Sequence, residues 1–454
     1  MNDPLNPDVE EIRSMGREAL ERIAVYYGSL AERPVVVPST SEALRGMLSE
    51  PLPGAGTDFG TLLQALEDVV FRYSRHNAHP RFFGYISSPG TAVAAVGAMI
   101  EAALNANVSC WRSAPPATEM EHVAVGWLKE MLGYPKESAG LLTSGGSMAN
   151  FAGLAAARAV KGGGRVYVSD EGHFSIRKAA AMLGVSVSEV RCADELPRAV
   201  SEDRAAGHAP FCLVANAGTT ATGAVDPIAQ MADFARREGL WLHVDAAYGG
   251  FAALAPSARH WFAGIGEADS VALDPHKWLY LPVGCGCVLY RDAAAARAAF
   301  GHEADYTRPI GLEHDEAFAF WDYGPELSRP FRALGLWLLI KYAGTDRLAA
   351  AIEQNIACAK YLEKLVEASA DFEMLAPVTL SVFCFRYCPP GFAGDLDALN
   401  ERLLVALQRD GSSYLSNAQV AGKFALRGCV LNYRTTERDM EQVLEDVRRV
   451  YRGL

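Results

Sequence analysis

Long apolar runs are missing from this chain. No stretch reaches the roughly 18 uninterrupted apolar residues that a membrane span needs. The Ala-rich run around Thr91–Leu104 comes nearest, and Glu101 and Asn105 bound it, so a membrane partner is not expected. The polar, acidic opening Met1–Glu11 has neither the basic start nor the apolar stretch of a secretory signal. Runs of lysine and arginine are missing as well. The 42 basic residues face 54 acidic ones, a net charge of -12, and such a surface repels phosphate backbones, which excludes nucleic acid as an expected partner. Cysteine is scarce and unpatterned. There are nine, an odd number, and the close pairs Cys285/Cys287 and Cys384/Cys388 lack CxxC spacing. That excludes a disulfide framework, a redox dithiol and a zinc site, and no metal is expected. These features together point to a reducing cytoplasm. Internal repeats, low-complexity tracts, the P-loop pattern GxxxxGK[ST] and the dinucleotide pattern GxGxxG are also absent.

What remains is ordinary for a globular enzyme: half the residues are hydrophobic and about a fifth are charged. With 454 residues, more than one ordinary core is expected. Residues 8–32 have Ile12, Met15, Leu20, Ile23 and Tyr27 at helical spacing, and Thr61–Tyr73 reads as helix again. Pro34, Pro38, Pro51 and Pro53 punctuate the connection between them. This segment, 1–78, is too short for its own core and is expected to pack on a partner subunit. From 79 to 340 short apolar runs (Arg165–Ser169, Phe211–Ala215, Leu240–Val244, Ser270–Leu273, Gly286–Tyr290) alternate with helical stretches such as Asn150–Val160 and Ile228–Arg237. The alternation predicts an α/β layer with a mostly parallel sheet, whose ligands sit beyond the carboxyl ends of the strands. Residues 341–454 read as a small α+β unit, opened by a helix over Arg347–Ser369.

The chemistry-bearing residues follow predicted strands. Asp274-Pro275-His276-Lys277-Trp278 comes directly after Ser270–Leu273. A lysine at such a strand end is where Schiff-base chemistry would place one, although taken alone it reads as a solvated surface lysine. Asp245, in Trp241–Gly250, ends another apolar run 32 residues earlier, a gap suited to one helical crossover. A carboxylate there could pair with a pyridinium nitrogen, and the small residues Ala246 and Ala247 leave room for a flat ring. Alone, Asp245 would read as a turn cap. Thr143-Ser144-Gly145-Gly146-Ser147 enters a helix, a phosphate cradle of backbone N–H groups and helix dipole. His173 and Ala217-Gly218-Thr219-Thr220 follow two further strands. Each signal is weak alone, and the combination is specific.

The combination resembles the group II pyridoxal 5′-phosphate (PLP)-dependent amino-acid decarboxylases, which include the aromatic-L-amino-acid, histidine and tyrosine enzymes. His79–Tyr85, Thr118–Glu121, the Gly145–Asn150 loop, His243–Gly250, Asp274–Trp278, Arg329–Leu334 and Phe424–Arg427 carry the resemblance, from about residue 10 to the C-terminus. It implies an aspartate-aminotransferase-like (fold type I) large domain with a seven-stranded sheet, PLP as cofactor, an L-amino acid as substrate, and a homodimer with active sites at the interface. By the same resemblance Lys277 forms the Schiff base, Asp245 pairs with the ring nitrogen and His173 stacks on the ring. Gly146, Ser147, Thr220, Ala247, Asp274 and His276 surround the cofactor, and Asp274 stands where the family often has asparagine.

Two departures bear on function. The family's decarboxylases carry a tyrosine on a loop, here roughly 301–329, that protonates Cα. Counting back from Arg329 puts that position on Phe320, and a three-residue shift puts it on Tyr323. Members with phenylalanine there react with O₂ after decarboxylation and release aldehyde, ammonia and hydrogen peroxide, which is the alternative activity. The substrate wall is expected from Phe82, Tyr85, Ser88, Asn77, Ser109 and Ser328. Asn77 and Ser109 favour a smaller or more polar side chain, because a polar wall penalises an apolar one; an aromatic or imidazole side chain stays open.

Overall fold

The structure, a computed structural model, describes residues 5–302 and 316–454. Five helices come first: α1 (Val9–Gly28), α2 (Ser41–Leu48), α3 (Phe59–Ala65), α4 (Ala92–Leu104) and α5 (Pro115–Leu132). Asp8 starts α1 with a capping box, accepting from the backbone N–H of Glu10 and Glu11. No residue of α1 is buried, and Val9, Ile12, Leu20, Ile23 and Val25 are exposed. The periodicity read from the sequence is thus real, and its apolar face is uncovered in the single chain.

The central element is a seven-stranded sheet: β1 (Ala139–Thr143), β2 (Arg165–Ser169), β3 (Ser186–Val190), β4 (Pro210–Asn216), β5 (Trp241–Ala246), β6 (Ser270–Leu273) and β7 (Gly286–Tyr290). Its spatial order is β1-β7-β6-β5-β4-β2-β3. Only β7 runs against its neighbours, pairing antiparallel with both β1 and β6. Every residue of β5, β6 and β7 is buried, as expected of strands covered on both faces, which read as unbroken apolar runs. The edge strand β3, Ser-Val-Ser-Glu-Val, is half exposed, and its weak apolar signal explains why the sequence did not announce it. The crossovers use α6 (Gly146–Lys161), α7 (Phe174–Leu183), α8 (Leu196–Ala205) and α9 (Ile228–Glu238). Between β5 and β6 the expected helix is instead three short 3₁₀ turns, Gly250–Leu254, Arg259–Phe262 and Ile265–Glu267. Pro256 and the glycines at 249, 250, 264 and 266 interrupt any longer run there.

Next come α10 (Pro275–Trp278), α11 (Ala293–Phe300) and α12 (Ala333–Glu367), which breaks at Gly344, where φ is +74°. The part after the break matches the helix expected from Arg347. A four-stranded antiparallel sheet of β8 (Phe372–Ala376), β9 (Val382–Tyr387), β10 (Ser416–Val420) and β11 (Lys423–Cys429) packs with α13 (Leu396–Asp410) and α14 (Glu437–Tyr451) around a second apolar core. The two sheets and their helices make up the fold-type-I arrangement anticipated above.

Candidate active site

The carboxyl ends of β1, β2, β4, β5 and β6 converge on one cleft of about 330 Å³, within the roughly 300–1,000 Å³ usual for small-molecule sites. At one end β1 passes through Ser144-Gly145 into α6, whose N-terminus no side chain caps. Its orphan N–H groups and the helix dipole favour an anion such as phosphate. A Cβ at Gly146 would lie 2.6 Å from Asp274 Oδ2 and 2.8 Å from Ala247 Cβ. Glycine is therefore what lets this loop close on the ends of β5 and β6.

Lys277 sits on the single turn after β6, with Nζ 2.9 Å from Asp274 Oδ2. Asp274 is almost fully buried, and its Oδ1 has no hydrogen-bond partner among the described residues. His276 Nδ1 donates to the Cys285 carbonyl at 2.8 Å, and Ser88 Oγ donates to the His276 carbonyl at 3.1 Å. Both contacts fix the turn that presents Lys277.

Asp245 lies on β5, beside β6, and is buried at the base of the cleft. Its Oδ2 accepts from Asn150 Nδ2 at 2.9 Å and its Oδ1 from the Ala247 N–H at 3.2 Å. A carboxylate has about four acceptor sites, so room remains for one more N–H, as a pyridinium would supply. His173 caps α7, its Nδ1 accepting from the Ser175 N–H at 3.2 Å. Burial holds His173 below its ordinary range, against the pull of Asp245. Burial thus favours the neutral ring, and Nδ1, accepting from Ser175, leaves the proton to Nε2. Tyr248 closes another side, stacked on Trp278 at 5.1 Å with its hydroxyl 2.8 Å from Ser381 Oγ. A phosphate cradle, a buried acid with spare acceptor capacity and a lysine at adjoining strand ends fit PLP.

All nine residues expected around the cofactor (Gly146, Ser147, His173, Thr220, Asp245, Ala247, Asp274, His276, Lys277) line this cleft. Sequence reasoning did not single out Asn150, Asn216, Tyr248 or Val283, which line it too. Asn150 was visible only as the end of the Gly-rich loop. Nothing local marks Asn216, the last residue of β4, as a wall.

Phe320 and Tyr323, expected to compete for the Cα-protonating position, do not line it. Phe320 is fully buried, with the Arg329 guanidinium 4.1 Å from its ring centroid and Phe318 edge-on. The Tyr323 ring stacks on Phe318 at 5.2 Å, and its hydroxyl accepts from Arg297 Nε at 3.0 Å. Arg329 holds Phe320, while Phe318 and Arg297 hold Tyr323, contacts that the gapless count from Arg329 could not register. Of the expected loop, residues 303–315 lie outside the described residues. None of the six substrate-wall residues lines the cleft of this chain either. Phe82 stacks on Tyr414 at 5.3 Å, and Asn77 donates to Ser87 Oγ at 3.1 Å. Ser109 pairs with Ser113 at 3.2 Å and Ser88 holds the His276 carbonyl, while Tyr85 and Ser328 are exposed.

Fold and cleft together define a fold-type-I PLP enzyme. The model of the pyridoxal-dependent decarboxylase conserved domain matches residues 42–388. The aromatic-L-amino-acid decarboxylase of Bacillus atrophaeus is 34% identical, across 99% of this chain and 97% of that protein. Among solved structures, Oryza sativa TDC with PLP and tryptamine superposes with a TM-score of 0.93 at 28% identity, covering 100% of this chain and 99% of the other. The 4-hydroxyphenylacetaldehyde synthase of Rhodiola rosea does so with a TM-score of 0.88 at 28% identity, covering 98% and 99%. The chain belongs to the pyridoxal-dependent decarboxylase family. It is a PLP-dependent enzyme that removes the carboxylate of an L-amino acid.

Proposed function

We propose that the substrate is an aromatic L-amino acid and that the product is its amine, made by a cytoplasmic homodimer. The similarity over nearly the whole chain to an aromatic-L-amino-acid decarboxylase carries the substrate reading. The expectation of a small or polar side chain rested on Asn77 and Ser109. In this chain Asn77 donates to Ser87 and Ser109 pairs with Ser113, which weakens the physical reason for it.

When bound through Lys277, PLP supplies an electron sink for the pair released by the breaking Cα–carboxylate bond. The chain's residues do the rest. The uncapped start of α6 would hold the phosphate. Asp245 would keep a proton on the ring nitrogen, and its burial would strengthen that interaction. Asp274 orients the Lys277 amine. Neutral His173 offers its Nε2–H to the cleft.

The dimer is supported by the uncovered apolar surface: Val9, Ile12, Leu20 and Ile23 on α1, and Val96, Met99, Ile100 and Leu104 on α4, are all exposed. A chain in water rarely leaves two helices with so many exposed apolar residues, and a second copy of the same helices covers them. Exposed Tyr85, Val283 and Leu327 are then available to complete the substrate wall across that interface.

The test is to give the PLP-loaded protein single L-amino acids in air and follow CO₂, amine, aldehyde and peroxide together. Amine equal to CO₂, with phenylalanine, tyrosine or tryptophan preferred, is expected. No turnover of any aromatic substrate refutes the substrate reading. Aldehyde and peroxide in place of amine select the second reading, an aldehyde synthase, which the Rhodiola rosea enzyme's fold accommodates. A monomeric mass in light scattering at micromolar concentration refutes the dimer.

A further inference from the structure

Behind the cleft runs a row of buried polar side chains whose hydrogens leave no choice of direction. Trp241 Nε1–H can only donate, and it does so to Ser270 Oγ at 2.9 Å. Ser270 Oγ also lies 2.8 Å from His243 Nδ1, and which of the two donates is set from the other end of the row. With Asn150 Nδ2 turned to Asp245, its Oδ1 can only accept, so His243 Nε2, 2.9 Å away, carries the neutral ring's proton and Nδ1 accepts from the Ser270 hydroxyl. Asn150 then spends both hydrogens of its amide nitrogen, one on Asp245 Oδ2 at 2.9 Å and one on Ser175 Oγ at 3.0 Å. The Ser175 hydroxyl proton is left for His173 Nδ1 at 2.7 Å. The flipped amide would set Asn150 Oδ1 against the Asp245 carboxylate, so the whole row has one polarity.

We infer that His243, fully buried and not itself a wall of the cleft, is a positioning residue that orients Asn150 and through it both Asp245 and His173. The fold is built to admit it. His243 and Asp245 are two apart on β5 and so share a face. Asn150 and Gly153 are three apart on α6 and share the helix face against them. A Cβ at Gly153 would lie 2.6 Å from His243 Nδ1 and Cε1. Burial also holds the His243 pKa down to about 4, which keeps Nδ1 an acceptor at neutral pH. Asn150 thereby ties the ring-nitrogen acid to the ring-face histidine, so neither turns without the other. The inference rests on PLP occupying the cleft and is independent of the substrate's identity.

The experiment compares His243→Gln, which keeps an amide N–H near the place of Nε2, with His243→Met, which keeps volume alone. PLP affinity of the apo-protein, kcat, KM and melting temperature are measured for each. Loss of one hydrogen bond to a charge-bearing network predicts about tenfold weaker PLP binding and about tenfold lower kcat for His243→Met, with KM little changed. His243→Gln stays within about threefold of the parent in both. Equal loss in the two variants, or loss of melting temperature alone, overturns the inference. Should His243→Met fail to fold, ¹⁵N spectra of the histidine rings in the parent holoenzyme decide: the Nε2–H tautomer for His243 supports the row, and Nδ1–H overturns it. Failure of the parent protein to bind PLP would strike the reading of the cleft instead.

Discussion

Gly146→Ala separates the cofactor cradle from the rest of the fold. The new Cβ would sit 2.6 Å from Asp274 Oδ2 and 2.8 Å from Ala247 Cβ, where ordinary contact begins at 3.4 Å. Something must therefore yield by roughly 0.8 Å. Ala247 follows β5 directly and Asp274 is buried at the end of β6, so neither gives cheaply. Overpacking of this kind costs about 1–3 kcal/mol. Alanine's helix preference over glycine at the first residue of α6 returns about 0.5–1 kcal/mol. The net, about 0–2.5 kcal/mol and centred on about 1.3 kcal/mol, falls on the atom that holds Lys277 Nζ at 2.9 Å. PLP affinity should fall about tenfold, read by titrating the apo-protein with PLP and following absorbance. Gly126→Ala is the control. Gly126 lies inside α5 with nothing within 4 Å of its would-be Cβ, so the same exchange should stabilise by about 0.5–1 kcal/mol and leave PLP affinity alone. If Gly146→Ala binds PLP within twofold of the parent, the cradle is not formed by this close approach and the reasoning is wrong.

Lys277→Ala should abolish both turnover and the visible absorbance of bound PLP, measured on purified protein; a retained visible band would remove Lys277 from the covalent role. Arg329→Met should cost about 3–5 kcal/mol in urea unfolding, because it leaves the buried Glu121 carboxylate unpaired. A loss under 1 kcal/mol would show that water reaches the pair. Acid should destabilise the fold through His79 and His243, whose folded pKa values are both pressed down to about 4 by burial. The unfolded chain takes up protons below about pH 6.5 while the folded one does not, so stability falls from there to about pH 4, by about 1 kcal/mol per pH unit for each group, and levels off below. Melting temperatures across that window check it, and a flat profile would refute it.

Strands β2, β6 and β7 were legible to the residue, because strands buried on both faces must be continuously apolar and any alternative would bury unpaired polar groups. The edge strand β3 and the outer strands β8 and β10 were not, since half-exposed strands carry mixed residues indistinguishable from loops. The cofactor residues could be found in the sequence because each sits in a short motif at a strand's carboxyl end, and in a parallel sheet those ends must lie together. Residues that belong to no local motif had to wait for the structure. Within this chain Phe320 packs against Arg329, whose own partner Glu121 is more than 200 residues away, and Tyr323 packs against Phe318 and Arg297, so neither ring lines this chain's cleft. The links from Trp241 through His243 and Asn150 to Asp245 and His173 likewise join β5, β6, α6 and α7. Local chemistry along the chain thus determined which groups could hold PLP. Only tertiary packing, which brings together residues distant in sequence and buries their polar atoms, decided how those groups are oriented.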